Sequence, residues 1–154
     1  MIYIEINPKL KIKLEPGIII GASEIALGED LAGTENDLSV VISDDEQIRT
    51  LNKHFRTIDA ETDVLSFPST EIDPDTGHNY LGDVIISYPQ ALKQAIMAGH
   101  PVENELQLLT IHGVLHLIGF DHTNNDEKDK MWREQEAALS KLGIIGIKIN
   151  DDQE

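Results

Sequence analysis

The sequence predicts an α+β fold in which one mixed sheet of about four strands packs against about five helices. Three observations support this prediction. The chain has 154 residues, which is the length of one domain, and we expect a single domain over residues 1–154. Its 40% hydrophobic and 26% charged residues are typical of a globular protein. Short β-branched runs and longer helical patterns follow each other without a strict strand–helix alternation.

The strands are predicted from apolar runs that are alternating or continuous and bounded by turn signals. Their expected ranges are residues 1–6, 38–43, 63–67 and 82–87. The helices are predicted from apolar residues at helical spacing, with capping residues or proline at the start and glycine at the end. Their expected ranges are residues 16–31, 44–55, 88–98, 101–118 and 126–142. A cluster of turn-forming residues occupies 69–79, and the polar residues 150–154 are expected to fray.

The composition excludes several classes of function. Cysteine is absent, which excludes disulfides, thiol nucleophiles and cysteine-based zinc sites, so any metal must be held by His, Asp or Glu. The absence fits a reducing cytoplasm, where we expect the protein to act. No segment approaches the ~20 apolar residues of a membrane span, and the first eight residues do not resemble a signal peptide.

The charge balance restricts the partners. With 12 basic and 28 acidic residues, the net charge is −16 at pH 7. Such a surface repels duplex DNA and anionic membranes at long range, so we expect neither as a partner. A nucleic-acid partner would require a local positive cleft or a metal ion.

The most informative segment is IHGVLHLIGFDH, residues 111–122, which contains three of the six histidines. On a helix, His112 and His116 are one turn apart and their rings face the same way. Gly119 can adopt the left-handed conformation that ends helices, so the chain can turn back and bring His122 to the same ion. Three protein ligands with an open fourth position is the arrangement of a catalytic zinc site.

The alternative is that these are core histidines satisfied by backbone carbonyls. The helix that carries them is apolar almost all round, which implies burial, and buried imidazoles need a hydrogen-bond partner or a metal. For a single histidine the core interpretation would be preferred. Three histidines at this spacing, with a glycine between the second and third, favour the metal.

The same spacing matches the long zinc-protease signature, so the metal helix is predicted to be zincin-like. In that signature a glutamate follows the first histidine and acts as the general base. Here the position is Gly113. A metallopeptidase is therefore the second hypothesis, and the preferred chemistry is a metal-bound water or a polarised oxygen completed by a different group.

Residues 112–122 resemble the metal motif of the YbeY family, the bacterial endoribonucleases also described as rRNA maturation factors. Residues 51–56 (LNKHFR) with 62–68 (TDVLSFP) resemble a second signature of the family, and residues 81–87 (LGDVIIS) a third. The three segments occur in the family's order. Phe120 stands where Tyr or another bulky residue is expected, and the first third of the chain carries no matching signature.

The resemblance implies a single-strand-specific endoribonuclease that acts in rRNA maturation, at the 3′ end of 16S rRNA, and in ribosome quality control. Its implied partners are single-stranded RNA, ribosomal RNA and the small ribosomal subunit. It implies one zinc ion held by His112, His116 and His122, although imidazole also suits other transition metals. It also implies a functional arginine at Arg56, whose guanidinium can meet two phosphate oxygens as negative charge develops.

Several interpretations stay open at this point. Arg56 could form a surface ion pair with Asp59 or Glu61 instead. A non-catalytic ribosome-assembly factor with a structural metal is a third hypothesis. The alternating Lys9, Lys11 and Lys13 could form a basic strand face for RNA or a solvated edge that discourages aggregation.

The remaining polar candidates are weaker. Asp121 either orients a ligand histidine or starts the turn after Gly119. Asp63 and Ser66 are expected to be structural rather than catalytic. Four further residues are expected to lie outside the site: His54, His78 and His100, in loops or on the surface, and Trp132, packed on the core.

Overall fold

Four strands form one mixed sheet in the computed structural model, which describes residues 1–33 and 35–149. The strands are β1 (Ile2–Ile6), β2 (Asn36–Ser43), β3 (Val64–Pro68) and β4 (Asn79–Ser87). Their order in the sheet is β1-β2-β4-β3. The pairs β1–β2 and β2–β4 are parallel, and β3 is antiparallel to β4 at one edge. The predicted mixed sheet is confirmed, and the prediction for residues 150–154 lies outside the described residues.

Five α-helices lie within the described ranges, as predicted. They are α1 (Pro16–Leu27), α2 (Asp45–Arg56), α3 (Tyr88–Ala98), α4 (Val102–Leu117) and α5 (Asn125–Lys141). Polar side chains begin several of them, because the first N–H groups of a helix lack partners within it. Asp44 caps α2 by accepting the Gln47 N–H at 2.9 Å, and Asn124 caps α5 by accepting the Glu127 N–H at 2.9 Å. None of the described helices is long and apolar enough to cross a membrane.

Two local predictions near the amino terminus are wrong. Helix α1 ends at Leu27 rather than at residue 31, because Gly28 adopts a φ of 80° and its N–H bonds to two carbonyls of the last turn. The three lysines at positions 9, 11 and 13 do not form a strand face. They lie in a one-turn 3₁₀ helix, Pro8–Leu10, and the loop that follows it, with their side chains exposed.

The apolar core lies mainly between the sheet and helices α1, α4 and α5. Strand β4 shows how the two faces divide: Val84 and Ile86 face this core, whereas Ile85 packs on the other face with Ile48 of α2. Helix α4 is buried along most of its length. Helices α2 and α4 therefore lie on opposite faces of the sheet.

Gly113 sets how closely α4 approaches the sheet. A Cβ atom at this position would lie 2.4 Å from Val84 Cγ1, closer than any real contact of that kind. The Ser66 hydroxyl of β3 donates to the Gly113 carbonyl at 3.1 Å and joins the helix to the edge strand. This contact fits the structural role expected for Ser66. The carboxyl end of α4 is thereby held beside β3, where the candidate site lies.

Candidate metal centre

The first two histidines of the motif lie side by side near the end of α4. His112 is fully buried and His116 is partly buried. Their ring centroids are 4.7 Å apart and the rings are nearly perpendicular, at 83°. This is the arrangement predicted from their spacing of one helical turn.

A glycine turn brings the third histidine to the other two. Gly119 has a φ of 106°, in the region that favours glycine. Its N–H bonds to the His116 carbonyl at 3.1 Å, and the Phe120 N–H bonds to the Leu115 carbonyl at 3.0 Å. The chain reverses, and the His122 ring lies 5.1 Å from that of His116. One ligand atom from each of the three histidines lies within 4.8 Å of the others.

Hydrogen bonds orient the two helical imidazoles. His116 Nδ1 lies 3.0 Å from the Phe120 carbonyl oxygen, and His112 Nδ1 contacts Gln135 Oε1. A carbonyl oxygen only accepts, so each Nδ1 carries the proton. The lone pair of each neutral ring is therefore on Nε2.

The two Nε2 atoms face each other at 3.2 Å. Two lone pairs at this distance repel each other unless a cation or a proton lies between them. Nitrogen ligands around a tetrahedral ion at ~2.0–2.1 Å are roughly 3.3–3.4 Å apart, close to the observed separation. The partial negative charge at the carboxyl end of α4 also favours a cation here. The three histidines thus form a group that fits a metal cofactor.

Two residues of helix α5 also contact the histidines, which the sequence did not predict. Gln135 is 4% exposed and accepts the proton of His112 Nδ1. Trp132, one turn earlier, packs partly on the core as expected, but its ring also lies 5.5 Å from the His122 ring and 5.9 Å from the His112 ring. One sequence feature could have identified Gln135: it is a polar residue in an apolar stripe, at helical spacing from the buried Met131 and Leu139.

A cleft of about 410 Å³ opens in front of the histidines. It runs beside β3, with the three histidines and the turn after α4 on one side and Arg56 on the other. Arg56 is the last residue of α2 and is exposed. Asp59 is instead paired with Arg49 at 2.7 Å and lies 4.0 Å from Lys53. Among the described residues no carboxylate forms an ion pair with Arg56, so the surface-pair alternative is wrong for both Asp59 and Glu61.

The structure shows the contacts of two acidic residues whose roles the sequence left open. Asp121 lines the cleft, and its Oδ1 accepts the backbone N–H of His122 at 2.8 Å, as expected for a residue that starts the turn. Asp63 is fully buried outside the cleft lining, where its carboxylate lies 3.4 Å from Gln94 Nε2 of α3. It supports the packing of α3 beside the sheet, as the structural interpretation expects.

The other three histidines do not join the cluster. His54 is exposed, as expected. His78 is half-buried, with Nδ1 3.0 Å from Asp37 Oδ1. His100 lies in the loop between α3 and α4, as expected, but it is not on the open surface: its Nε2 lies 3.0 Å from Oε2 of the buried Glu105. Burial raises the pKa of Glu105, and the facing imidazole partly offsets this effect.

The fold and the site together define a class: a small α+β protein with a three-histidine metal group at the end of its central helix, beside an open cleft. Comparison with known proteins gives the particular family. The family model described as endoribonuclease YbeY matches residues 18–143. The chain belongs to this family.

Curated relatives and a solved structure agree with this assignment. The "Endoribonuclease YbeY" of Pelotomaculum thermopropionicum is 40% identical over 131 residues, covering 83% of this chain and 86% of the relative. The protein of the same name from Aquifex aeolicus is 49% identical over 107 residues, covering 69% of this chain and 70% of the relative. A solution structure from Thermotoga maritima matches with a TM-score of 0.57 and 23% identity, covering 93% of this chain and 92% of that one. This last likeness supports the fold alone.

Proposed function

We propose that this protein is a metal-dependent endoribonuclease that cleaves single-stranded RNA and acts in the maturation of ribosomal RNA. The observation that carries the proposal is the cleft itself. Three imidazoles whose ligand atoms lie within 4.8 Å of one another are on one side, and an arginine with no ion-pair partner among the described residues is on the other. The family assignment supports RNA as the substrate.

His112, His116 and His122 hold the metal, and zinc fits their nitrogen donors and their number. When bound, the metal activates water or polarises an oxygen of the substrate. The Phe120 carbonyl and the Gln135 amide keep the Nδ1 protons of two ligands in place. These bonds fix the tautomer that can coordinate, so the ligand lone pairs are oriented before the ion arrives.

Arg56 binds the scissile phosphate. A phosphodiester gains negative charge on its non-bridging oxygens as it approaches the transition state. The guanidinium donates two parallel hydrogen bonds to such oxygens, and a group already in place stabilises the charge without reorganisation. Because Arg56 has no competing carboxylate among the described residues, the phosphate does not have to displace an ion pair.

The negative surface fits a substrate that binds locally. A net charge of −16 opposes long-range attraction of any nucleic acid, so affinity must come from the cleft and its immediate surroundings. The small ribosomal subunit and the 3′ end of 16S rRNA are the proposed targets in the cytoplasm. They are the substrates that resemblance to the family implies.

No specific observation favours a peptidase. The position that holds the general base in zinc proteases is Gly113, and a Cβ there would collide with Val84 of the sheet. A glutamate at this position would push α4 away from the sheet instead of reaching the site. The cleft therefore contains the metal group of a zincin without its base.

The test is a cleavage assay on purified protein with metal analysis of the same preparation. We expect about one equivalent of a transition metal and endonucleolytic cleavage of single-stranded RNA. Duplex RNA and single-stranded DNA are expected to stay intact, a chelator should abolish cleavage, and added metal should restore it. Casein is the control substrate for peptidase activity.

Metallated protein that binds small subunits but cuts no RNA would favour the assembly-factor hypothesis. Chelator-sensitive turnover of casein with RNA left intact would favour the peptidase. Either result would overturn the proposed function.

A further inference from the structure

The last two turns of α2 form a basic surface on an acidic protein. The chain has 28 acidic residues, yet residues 47–58 contain none, while they include Arg49, Lys53 and Arg56. These three positions are four and three residues apart, so they lie on one face of the helix, and all three are exposed. We call this the α2 basic face. This face attracts phosphate locally, although the net charge of the chain repels phosphate.

The charge on this face is not compensated evenly. Arg49 Nε donates to Asp59 Oδ1 at 2.7 Å, whereas Lys53 Nζ is 4.0 Å from Asp59 Oδ2. The hydrogen bond from Arg49 lowers the pKa of Asp59, so the pair is ionised at neutral pH. Lys53 has only a loose contact, and Arg56 has no ion pair among the described residues. The available positive charge is therefore at the end of α2 that adjoins the cleft.

An exposed aromatic ring flanks the same end of the helix. Phe55 is 61% exposed and immediately precedes Arg56. Its ring centroid lies 4.6 Å from that of His54 and 5.3 Å from that of Phe67 on β3. Single exposed apolar residues are common on protein surfaces. This ring contacts two other rings and is next to a residue of the cleft, which is the setting of a stacking platform rather than of an isolated surface residue.

We propose that single-stranded RNA reaches the cleft along α2, with one base stacked on Phe55 and neighbouring phosphates bound by Lys53 and Arg56. Aromatic rings beside a basic track are the usual means of binding single strands, because every base has a face that can stack. The cleft continues from Arg56 along β3 to the histidines. The proposal rests on the proposed function, since it names how the substrate enters that site.

The stacking step also gives a physical reason for single-strand specificity. A base within a duplex is already stacked on both sides and paired, so its faces are not available to a side chain. A base in a flexible single strand can turn toward Phe55. Discrimination against duplex then arises at α2, before the phosphate meets the metal centre.

The test measures binding of fluorescently labelled 2′-O-methyl oligoribonucleotides to the metal-loaded protein, with gel electrophoresis to verify that they stay intact. A series carries one abasic position, moved along the strand. For the unsubstituted protein, binding should weaken by about 5- to 140-fold when the base is missing at one particular position. Phe55→Ala should weaken binding of the complete strand by a similar factor and remove the penalty at that position. Phe55→Trp should retain both.

Two matched controls separate stacking and charge from general surface effects. Ile96→Ala removes an apolar side chain of α3 that is at least as exposed as Phe55, and binding should not change. Lys53→Ala should reduce the slope of log affinity against log salt by about 0.7, the value for one lost phosphate contact on a single strand. Lys93→Ala, an exposed lysine of α3, should leave the slope unchanged.

The outcomes distinguish this proposal from the proposed function. If Phe55→Ala binds as well as the unsubstituted protein and keeps the same abasic profile, the stacking proposal is overturned while the nuclease assignment stands. If Lys53→Ala leaves the salt slope unchanged, the proposed path along α2 is wrong. If the unsubstituted protein neither binds nor cleaves single-stranded RNA, both proposals fail together.

Discussion

The histidine wall of the cleft is buried and hydrogen-bonded, whereas the arginine wall is an exposed helix end. On the first wall, His112 is fully buried and donates to Gln135, and the Phe120 carbonyl fixes His116. On the second, Arg56 is exposed without an ion-pair partner among the described residues. The difference indicates that the two walls have different functions. A metal site needs fixed ligand geometry, while a phosphate-binding group can adapt to a flexible substrate and relies on charge.

The largest expected effect on metal binding and cleavage comes from removing one ligand of the histidine wall. His116→Ala removes a ligand and leaves two imidazoles, so we expect the variant to lose most of its metal and most RNA cleavage. Metal content by mass spectrometry and cleavage of single-stranded RNA are measured on the same sample. His54→Ala, which removes an exposed histidine outside the cluster, should keep its metal. Retention of both metal and cleavage in His116→Ala would refute the ligand assignment.

The two walls also differ in how far the sequence could predict them. The histidine wall is local: a helical spacing and one glycine, all within residues 112–122, are enough to predict convergence. Arg56 is more than fifty residues away, so only the family resemblance pointed to it, and its place at the cleft depends on how α2 and α4 lie on opposite faces of the sheet. Gln135 was not predicted because its partner His112 is 23 residues away and no local pattern links them.

The errors in the fold prediction have similar causes. The strand and helix patterns were sufficient for the mixed sheet and the five helices. Helix α1 was predicted too long because the apolar residues continue past Gly28, where the backbone turns. The alternating lysines near the amino terminus suggested a strand, but the alternation comes from a loop in which Leu10, Ile12 and Leu14 pack on the core. Periodicity shows which side chains are buried without showing which backbone conformation buries them.

The second prediction concerns the arginine wall. Arg56→Ala should lower the rate of RNA cleavage roughly 10²–10³-fold, the usual effect of removing one donor to a developing negative charge. Metal content should not change, because Arg56 does not contact the histidines. Arg56→Lys should restore only part of the rate, since an ammonium cannot make the parallel pair of hydrogen bonds. Loss of metal in Arg56→Ala would show that the two walls are not independent.

A smaller effect is expected where α5 supports the histidine wall. Gln135→Ala removes the acceptor of the His112 Nδ1 proton, so we expect metal affinity to fall about 10- to 100-fold. Gln135→Glu keeps an acceptor at this position and should keep tight binding. Competition with a chelator of known affinity measures the difference. Equal affinity in the alanine variant and the unsubstituted protein would mean that packing alone orients His112.

The smallest expected effects are on stability. They concern the two residues of left-handed conformation that follow the ends of α4 and α2, one on each side of the cleft. On the histidine wall this residue is Gly119, with a φ of 106°, and on the arginine wall it is Thr57, with a φ of 57°. A left-handed conformation costs an L residue about 1–2 kcal/mol, and a β-branched side chain is especially unfavourable there. Gly119→Ala should lower the free energy of unfolding by about that amount, because an added Cβ meets no atom within 4 Å and only the backbone cost remains.

Thr57→Gly should instead raise the free energy of unfolding. Relief of the backbone strain is partly offset by the greater freedom of glycine in the unfolded chain and by loss of the hydroxyl bond to the Arg56 carbonyl. The expected net gain is about 0.5–1 kcal/mol, and Thr57→Ala should gain less because it keeps a Cβ. Urea unfolding of the three variants measures these differences. A loss of stability in Thr57→Gly would mean that the threonine side chain stabilises the end of α2 by more than its backbone strain costs, and that the arginine wall is less adaptable than its exposure indicates.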